Sequence, residues 1–172
     1  MANVYDDLDD DDNAIKYWGK SIEIDPNSPE PYYNRGVTVY YNDSDLAIND
    51  FKKVIEIQPE NANALACLGE IYCEEMEYSK AIKYLDKAID LDESIHKAYY
   101  RRAECRREIK DFKGSLSDSS KAYEIDPKAI YPSLIIEIAS DHYHLGEYKK
   151  AIALLNEEID GSEDYFDEDL YI

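Results

Sequence analysis

Small residues recur at a nearly constant interval along this chain of 172 residues. They stand 33 to 36 residues apart, at Ala14, Ala47, Ala81, Ser115 and Ala151. An interval in this range is typical of stacked supersecondary units, each of which is too small to bury its apolar face alone. The spacing therefore predicts an array of similar units whose function lies in an exposed surface.

Each unit is predicted to contain two amphipathic helices. In the third unit, Leu65, Leu68 and Tyr72 recur at the spacing of one helix face, and a second apolar face follows from Ala81. Gly69 and Ala81 are small where the two helices must approach closely. A unit of this kind is a helical hairpin, which packs against the hairpins before and after it.

The pattern resembles the tetratricopeptide repeat, which has large apolar, glycine and tyrosine positions in a first helix and alanine, aromatic and proline positions in a second. The resemblance covers about residues 2–160, and its register holds over five units. It implies an all-α fold, a right-handed superhelical solenoid of antiparallel helix pairs. We divide the chain into a shortened first unit at 1–28, units at 29–61, 62–95, 96–129 and 130–160, and an acidic-aromatic C-terminal tail at 161–172.

Two units depart from the repeat pattern. Unit two has one residue fewer between Gly36 and Ala47 than the next unit has in the same interval, which predicts a tighter turn between its helices. Unit four has Ser115 and Ser119 where a small and a large apolar residue are usual, which predicts a thinner core. Extra chain is expected at residues 128–131, because the last interval between units is longer than the others.

The two ends of the chain leave alternatives open. Ala2 and Tyr5 match the end of a first helix whose beginning is absent, so we expect either a chain trimmed from a longer protein, which we favour, or a frayed helix. Gly161 is expected to end the last helix. The tail after it is either a disordered end, a cover for the last helix, or a segment that docks in the groove of a neighbouring molecule.

Composition excludes several classes of function. The formal net charge of −20 disfavours nucleic acid and anionic membrane surfaces, and it favours basic or neutral partners unless it serves solubility alone. No apolar run is long enough to span a bilayer. Three cysteines, an odd number, argue against a disulfide framework and indicate reduced thiols, which predicts a cytoplasmic location.

Motifs for catalysis or metal binding are missing from the sequence. The acidic run at residues 6–12 lacks the glycine and glutamate that an EF-hand loop requires at its sixth and twelfth positions. His142 and His144 are two residues apart and point in different directions on a helix. The glycines are scattered singly, so no phosphate-binding loop is present. We therefore expect no enzymatic activity, no cofactor and no metal.

The resemblance implies that the first helices of the units line a concave groove. Tyrosine suits such a surface because it offers a wide contact area with few torsions to freeze, although about half of these tyrosines are expected to pack between helices. The groove residues expected from the repeat register are Tyr33, Asn34, Val37, Tyr40, Tyr41, Glu70, Lys97, Tyr100, Arg101, Glu104, Arg107 and Tyr143.

One cationic spot is expected in this largely acidic groove. Lys97 and Arg101 share a helix face, and Arg107 extends it, so that the three either receive a carboxylate of a ligand or pair with neighbouring acids such as Glu104. Some members of the family hold chaperone C-termini with a Lys/Asn/Asn/Lys/Arg clamp. That clamp is incomplete here, because Tyr33 stands where the clamp has lysine.

The predicted function is protein–protein interaction, with a peptide or helix held in the tyrosine-lined groove. The alternative is a structural or dimerising segment of a larger protein, which includes an enzyme as one option. The expected partner is a neutral or basic protein or peptide, and the chain itself is expected to be a monomer or a homodimer joined through its terminal helices.

Overall fold

The architecture is a stack of antiparallel helices, seen in a computed structural model that describes residues 11–127 and 134–163, with side chains up to residue 156. No strand occurs within these residues. The helices are α1 (Asp11–Ile24), α2 (Pro29–Val39), α3 (Ser44–Ile57), α4 (Ala62–Glu74), α5 (Tyr78–Leu91), α6 (His96–Glu108), α7 (Phe112–Ile125), α8 (Leu134–His144) and α9 (Tyr148–Glu163).

The helices pair as the repeat spacing predicts. α2 packs against α3, α4 against α5, α6 against α7 and α8 against α9, while α1 is the second helix of the shortened first unit. Each second helix also contacts the first helix of the next unit, and α4 contacts α6 directly. The fold is an all-α, right-handed superhelical solenoid of antiparallel pairs, as expected.

Close approach of the paired helices depends on small residues. A Cβ atom on Gly69 would lie 2.5 Å from Cγ of Leu85 and 3.3 Å from the carbonyl oxygen of Ala81. Leu85 and Ala81 are fully buried. The predicted need for a small side chain at Gly69 is therefore confirmed, since any larger residue would push α4 and α5 apart.

Three of the helices have an aspartate or asparagine as their N-cap residue. Asp43 accepts a hydrogen bond from the backbone N–H of Leu46 at 2.9 Å, and Asn61 does the same for Ala64. Asp111 caps α7 in the same way by accepting from Gly114 at 3.0 Å. These bonds satisfy backbone donors that the first turn of a helix leaves unpaired, so each cap fixes where its helix starts.

The prediction of a tighter turn in unit two is wrong. Four residues, 40–43, separate α2 from α3, whereas three residues, 75–77, separate α4 from α5. The missing residue comes from the helix instead: α2 has 11 residues and α4 has 13. Units three, four and five make the shorter turn, in which Met76, Lys110 and Gly146 adopt left-handed backbone conformations with φ of 60°, 65° and 78°.

The last helix is longer than expected. Gly161 was expected to end it, but α9 runs to Glu163, so residues 161–163 of the predicted tail are helical. A single glycine costs a helix about 1 kcal/mol and does not stop it by itself. The expectations for residues 128–131, for the acidic run before Asp11, for Ala2 and Tyr5, and for the rest of the tail lie outside the described residues.

Polar contacts occur within unit four and at its junctions with both neighbouring units. Ser115 and Ser119 are fully buried, which fits the predicted thin core. The Ser115 hydroxyl donates to Oδ2 of the buried Asp141 at 2.7 Å. Within the unit, Arg102 binds Asp118 with two hydrogen bonds of 2.7 and 2.8 Å, and it also binds Asp86 of the preceding unit at 2.7 Å.

Candidate functional site

A cavity of about 320 Å³ opens on the concave side of the stack, between the first helices of units two, three and four. Its walls combine aliphatic, aromatic and charged side chains. They are Tyr33 and Val37 of α2, Asn63, Ala66, Cys67 and Glu70 of α4, Ile95 before α6, and Lys97, Ala98 and Arg101 of α6.

A second cavity of about 120 Å³ continues the first toward the C-terminal end of α2. The two share Val37, Cys67, Glu70 and Lys97, and the smaller one adds Tyr40, Tyr41 and Phe51. We call the two cavities together the concave groove. Successive first helices build it because they lie side by side along the inner face of the solenoid.

Glu70 is the electrostatic centre of the groove. Its side chain is 5% exposed and receives Lys97 Nζ at 2.8 Å and Arg101 Nε at 2.9 Å. A buried carboxylate needs such partners, because desolvation of an unpaired charge costs several kcal/mol. Arg101 also donates to Glu104 at 2.9 Å. Burial lowers the pKa of Arg101, but the charges of Glu70 and Glu104 outweigh it and raise that pKa overall.

Two groove groups are held neutral. Burial, together with contact with the Cys67 thiol, raises the pKa of Tyr33 to about 12. Burial and the nearby charge of Glu70 raise the pKa of Cys67 to about 11. Both groups therefore act as hydrogen-bonding and apolar surface near neutral pH, and Cys67 is a poor nucleophile.

Tyr40 and Tyr41 form the aromatic end of the groove. Their rings meet edge to face with centroids 4.6 Å apart. The Tyr40 hydroxyl donates to Glu74 Oε1 at 2.9 Å, and burial and neighbouring carboxylates raise its pKa. Tyr41 is 83% exposed, so its ring is open to solvent.

The sequence matches two family models of this repeat. A model described as "TPR repeat" matches residues 2–43, and one described as "Tetratricopeptide repeat" matches residues 51–83. The helical hairpins of the structure continue the same register to α9.

The chain contains repeats of the tetratricopeptide family. Arrays of this family commonly serve protein–protein interaction.

The chain is also similar to known proteins, in sequence or in fold. The chain is 26% identical over 161 residues to a protein of Arabidopsis thaliana named "Protein CTR9 homolog", covering 88% of this chain and 15% of the plant protein. The crystal structure of MamA superposes with a TM-score of 0.85 at 22% identity and 96% coverage of both chains. The structure titled "YrrB: a TPR protein with an unusual peptide-binding site" superposes with a TM-score of 0.76 at 21% identity, covering 92% of this chain and 81% of that one.

The chain is much shorter than the curated relatives that it matches. The chain spans less than a quarter of the length of the curated relatives that it matches first. The similarity to the solved structures, at identities below 25%, concerns the fold alone.

The groove of this tetratricopeptide array brings together only part of the residue set expected from the sequence. Lys97 and Arg101 pair with the chain's own acids, as in the second of the two alternatives. Asn34 lies on α2 and is half-buried, and its carbonyl oxygen accepts from Thr38. Of the five expected tyrosines, Tyr41 and Tyr143 are exposed, whereas the other three are half-buried.

Arg107 and Tyr143 lie away from the groove. Arg107 was expected to extend the cationic spot of Lys97 and Arg101, but it points to the next unit and pairs with Asp141 and Glu137. Tyr100 donates to Glu137 at 3.4 Å, also toward unit five. Tyr143 lines a different cavity at the end of the stack.

Several groove residues were missed because they are small or lie between helices. Ala66, Ala98 and Ile95 line the cavity, yet alanine and a loop isoleucine give no chemical signal in a sequence. Helical spacing offered one clue: Ala66 precedes Glu70 by four residues and so shares its face.

Within 11–127 and 134–156, no three acidic, histidine or cysteine side chains are grouped closely enough to hold a metal ion. None of the helices in the described part is long and apolar enough to cross a membrane.

Proposed function

We propose that the concave groove holds an extended or helical segment of a partner protein. The observation that carries this proposal is the 320 Å³ cavity between α2, α4 and α6, together with the smaller cavity that continues it. A groove that runs across three units suits a segment of several residues, whereas a small molecule would fill a single enclosed pocket.

The walls of the groove provide apolar area for binding and polar atoms that would orient a bound segment. Val37, which is 46% exposed, and Ile95 supply apolar area that a bound segment would cover. Tyr33, Cys67 and Asn63 supply polar atoms at its edges. Burial of apolar area contributes roughly 25 cal/mol per Å², and the polar atoms fix the position of the bound chain.

The charge of the groove favours a neutral or basic segment. Lys97 and Arg101 are both engaged by Glu70, and Arg101 also contacts Glu104 and Glu74. These three carboxylates outnumber the two cations, in a chain whose formal net charge is −20. A partner's carboxylate would therefore have to displace an internal acid, whereas a partner's cation would meet attraction.

The remaining features fit a binding module. All three thiols, Cys67, Cys73 and Cys105, are free, which supports a reducing, cytoplasmic location. We infer that the array has no enzymatic activity of its own and binds neither nucleic acid nor membrane. YrrB, which shares this fold and is described as having an unusual peptide-binding site, supports a general role in peptide binding.

A second candidate function is structural, and the end of the stack favours it. A mostly apolar cavity of about 380 Å³ is lined by residues of α8 and α9. Ile136, Tyr143, Tyr148 and Ile152 are each more than half exposed there. Such a face suits stacking against a further helix or a second copy. Light scattering of the native chain and of Ile152→Glu tests it: a dimer that the variant converts to a monomer supports this role.

The groove proposal is tested by selection from a random peptide library displayed on phage. Peptides enriched on the native array are then measured by titration against Val37→Arg, which fills the groove. Tyr123→Arg is the matched control, because Tyr123 is also 46% exposed but lies on α7, outside the groove. We expect at least a tenfold loss of affinity for Val37→Arg only. Equal affinity for both variants would reject the groove as the binding surface.

A further inference from the structure

We propose that Tyr40, Tyr41 and Glu74 form a subsite of the groove that binds an arginine side chain of the partner segment. This inference rests on the proposed function and specifies one chemical group of the ligand. It is carried by the geometry of the C-terminal ends of α2 and α4, where the three residues meet.

Glu74 retains an open acceptor. Its side chain is 47% exposed, and its Oε1 atom receives the Tyr40 hydroxyl at 2.9 Å and lies 3.6 Å from Arg101. The other oxygen, Oε2, accepts no hydrogen bond from any residue within the described ranges. Because an ionised carboxylate can accept up to four hydrogen bonds, Glu74 is able to bind a further donor.

Tyr40 and Tyr41 provide aromatic surface next to that carboxylate. Tyr40 is fixed at both ends, since its hydroxyl is held by Glu74 and its ring packs edge to face with Tyr41. Tyr41 packs against this held ring although it is 83% exposed, and within the described residues no arginine or lysine is seen over the Tyr41 ring. An open tyrosine ring is a surface on which the side chain of an arginine can lie.

The backbone adds a favourable field at the same place. α2 ends at Val39 and α4 ends at Glu74, so two helix C-termini meet beside the subsite. Helix C-termini carry partial negative charge and attract cations. Two cations of the groove, Lys97 and Arg101, are already paired with the buried Glu70, and Arg101 also lies 3.6 Å from Glu74. This pairing limits their repulsion of an incoming cation.

Arginine fits this arrangement better than lysine. One phenol ring separates the Tyr41 ring from the Glu74 carboxylate, a span that the long stem and flat head of an arginine can cover. Its guanidinium can donate to Oε2 of Glu74 while the stem lies on Tyr41. A lysine side chain is shorter, and its ammonium lacks the planar fork of donors that matches a carboxylate.

The test uses the native chain and two probes of the same shape, N-acetyl-arginine methylamide and its neutral analogue N-acetyl-citrulline methylamide. Each is titrated at physiological salt while the backbone amide signals are followed by NMR. We expect the arginine probe to shift signals at residues 40–42 and 74–75 and the citrulline probe to shift them far less. Equal shifts with both probes, or shifts spread over the whole acidic surface, would overturn the proposal.

Variants separate the subsite from general charge attraction. Tyr41→Ala and Glu74→Gln should each raise the dissociation constant of the arginine probe about two- to fivefold. Tyr123→Ala and Glu60→Gln are the controls, since they remove an exposed ring and an exposed charge elsewhere, and should leave it unchanged. Equal effects in the two sets would overturn the subsite.

The peptides selected from the phage library distinguish the two proposals. If they bind the groove but lack arginine, and if their affinity is unaffected by Tyr41→Ala, the subsite is wrong and the groove proposal survives. If Val37→Arg also leaves their affinity unchanged, the groove proposal fails as well.

Discussion

Arg107 and Asp141 form a two-bond ion pair across the junction of units four and five, with Nε–Oδ1 at 3.0 Å and Nη2–Oδ2 at 3.2 Å. Asp141 is fully buried. One unit earlier, the corresponding positions hold Cys73 and Cys105, whose thiols contact each other. The same register position therefore joins neighbouring units by an ion pair in one place and by a thiol contact in the other.

Removal of the Asp141 carboxylate should weaken this junction strongly. Asp141→Leu leaves the Arg107 guanidinium and the Ser115 hydroxyl without their buried partner, and we expect a loss of about 3 kcal/mol in the free energy of unfolding. Urea unfolding measures this loss for the array as a whole. Amide hydrogen exchange should place the loss in α8 and α9, because units of a repeat array contact only their neighbours.

The double variant Arg107→Leu, Asp141→Leu controls for the pairing itself. It should lose less stability than the sum of the two single variants, because neither Arg107 nor Asp141 is left without the other. Glu137 loses its contact with Arg107 equally in the double variant and in Arg107→Leu. Additive losses would show that the two side chains are not coupled.

A methyl group at Gly69 should destabilise the array although alanine is a better helix former. Gly69→Ala places its Cβ against Leu85 and the Ala81 carbonyl, and we expect a loss of about 1–3 kcal/mol. Gly19→Ala is the matched control in α1, because its nearest neighbour is an arginine side-chain nitrogen at 3.9 Å. Thermal unfolding should show the control unchanged or slightly more stable; a stabilised Gly69→Ala would contradict the packing argument.

Spacing predicted the helices and their small contact residues, but not the contacts between units. The two helices predicted for the third unit correspond to α4 and α5, because apolar periodicity is a local property of the chain. The pairing of Arg101 with Glu70 and of Arg107 with Asp141 joins residues 31 and 34 apart. It depends on how one hairpin is stacked on the next, which no local pattern encodes.

The length of the turn after α2 was predicted wrongly for a related reason. Residue count alone showed that unit two is shorter between Gly36 and Ala47, but it could not tell whether the helix or the turn had lost the residue. The length of each turn depends on the backbone conformation of its residues. In units three and four, the non-glycine residues Met76 and Lys110 adopt a positive φ, which the sequence does not reveal.

Replacement of Met76 by glycine should stabilise the array. Met76 has φ of 60°, is 73% exposed, and follows α4 in the turn to α5. Left-handed backbone costs a non-glycine residue about 1 kcal/mol, so Met76→Gly should raise the free energy of unfolding by about 0.5–1 kcal/mol. Met76→Ala keeps the unfavourable φ and should show no gain in urea unfolding. A loss of stability with glycine would refute the assigned strain.

The reactivity of Cys67 should report the environment of the groove. A pKa of about 11, against the ordinary 9.0, lowers the thiolate fraction about a hundredfold near pH 8. Iodoacetamide labelling of a Cys73→Ser, Cys105→Ser chain should therefore be slow when folded and speed up tenfold per pH unit through pH 10. In urea, the rate should level off near pH 9, and the same levelling in the folded chain would exclude the raised pKa.

The same shift makes a small contribution to stability that depends on pH. Because the pKa of Cys67 is higher in the folded state, its contribution is complete below pH 9. It is lost as the pH rises from there through about 11. A Cys67→Ala variant should therefore show a flatter dependence of stability on pH in this alkaline window than its parent.

The central claim is that partners bind across α2, α4 and α6, and the affinity of a selected peptide for Val37→Arg and Tyr123→Arg tests it most directly. Both variants should keep the helical circular dichroism of the native chain, since each residue replaced is about half exposed. We predict a dissociation constant at least tenfold higher for Val37→Arg and unchanged for Tyr123→Arg. The opposite ranking, or no change in either variant, would contradict the account.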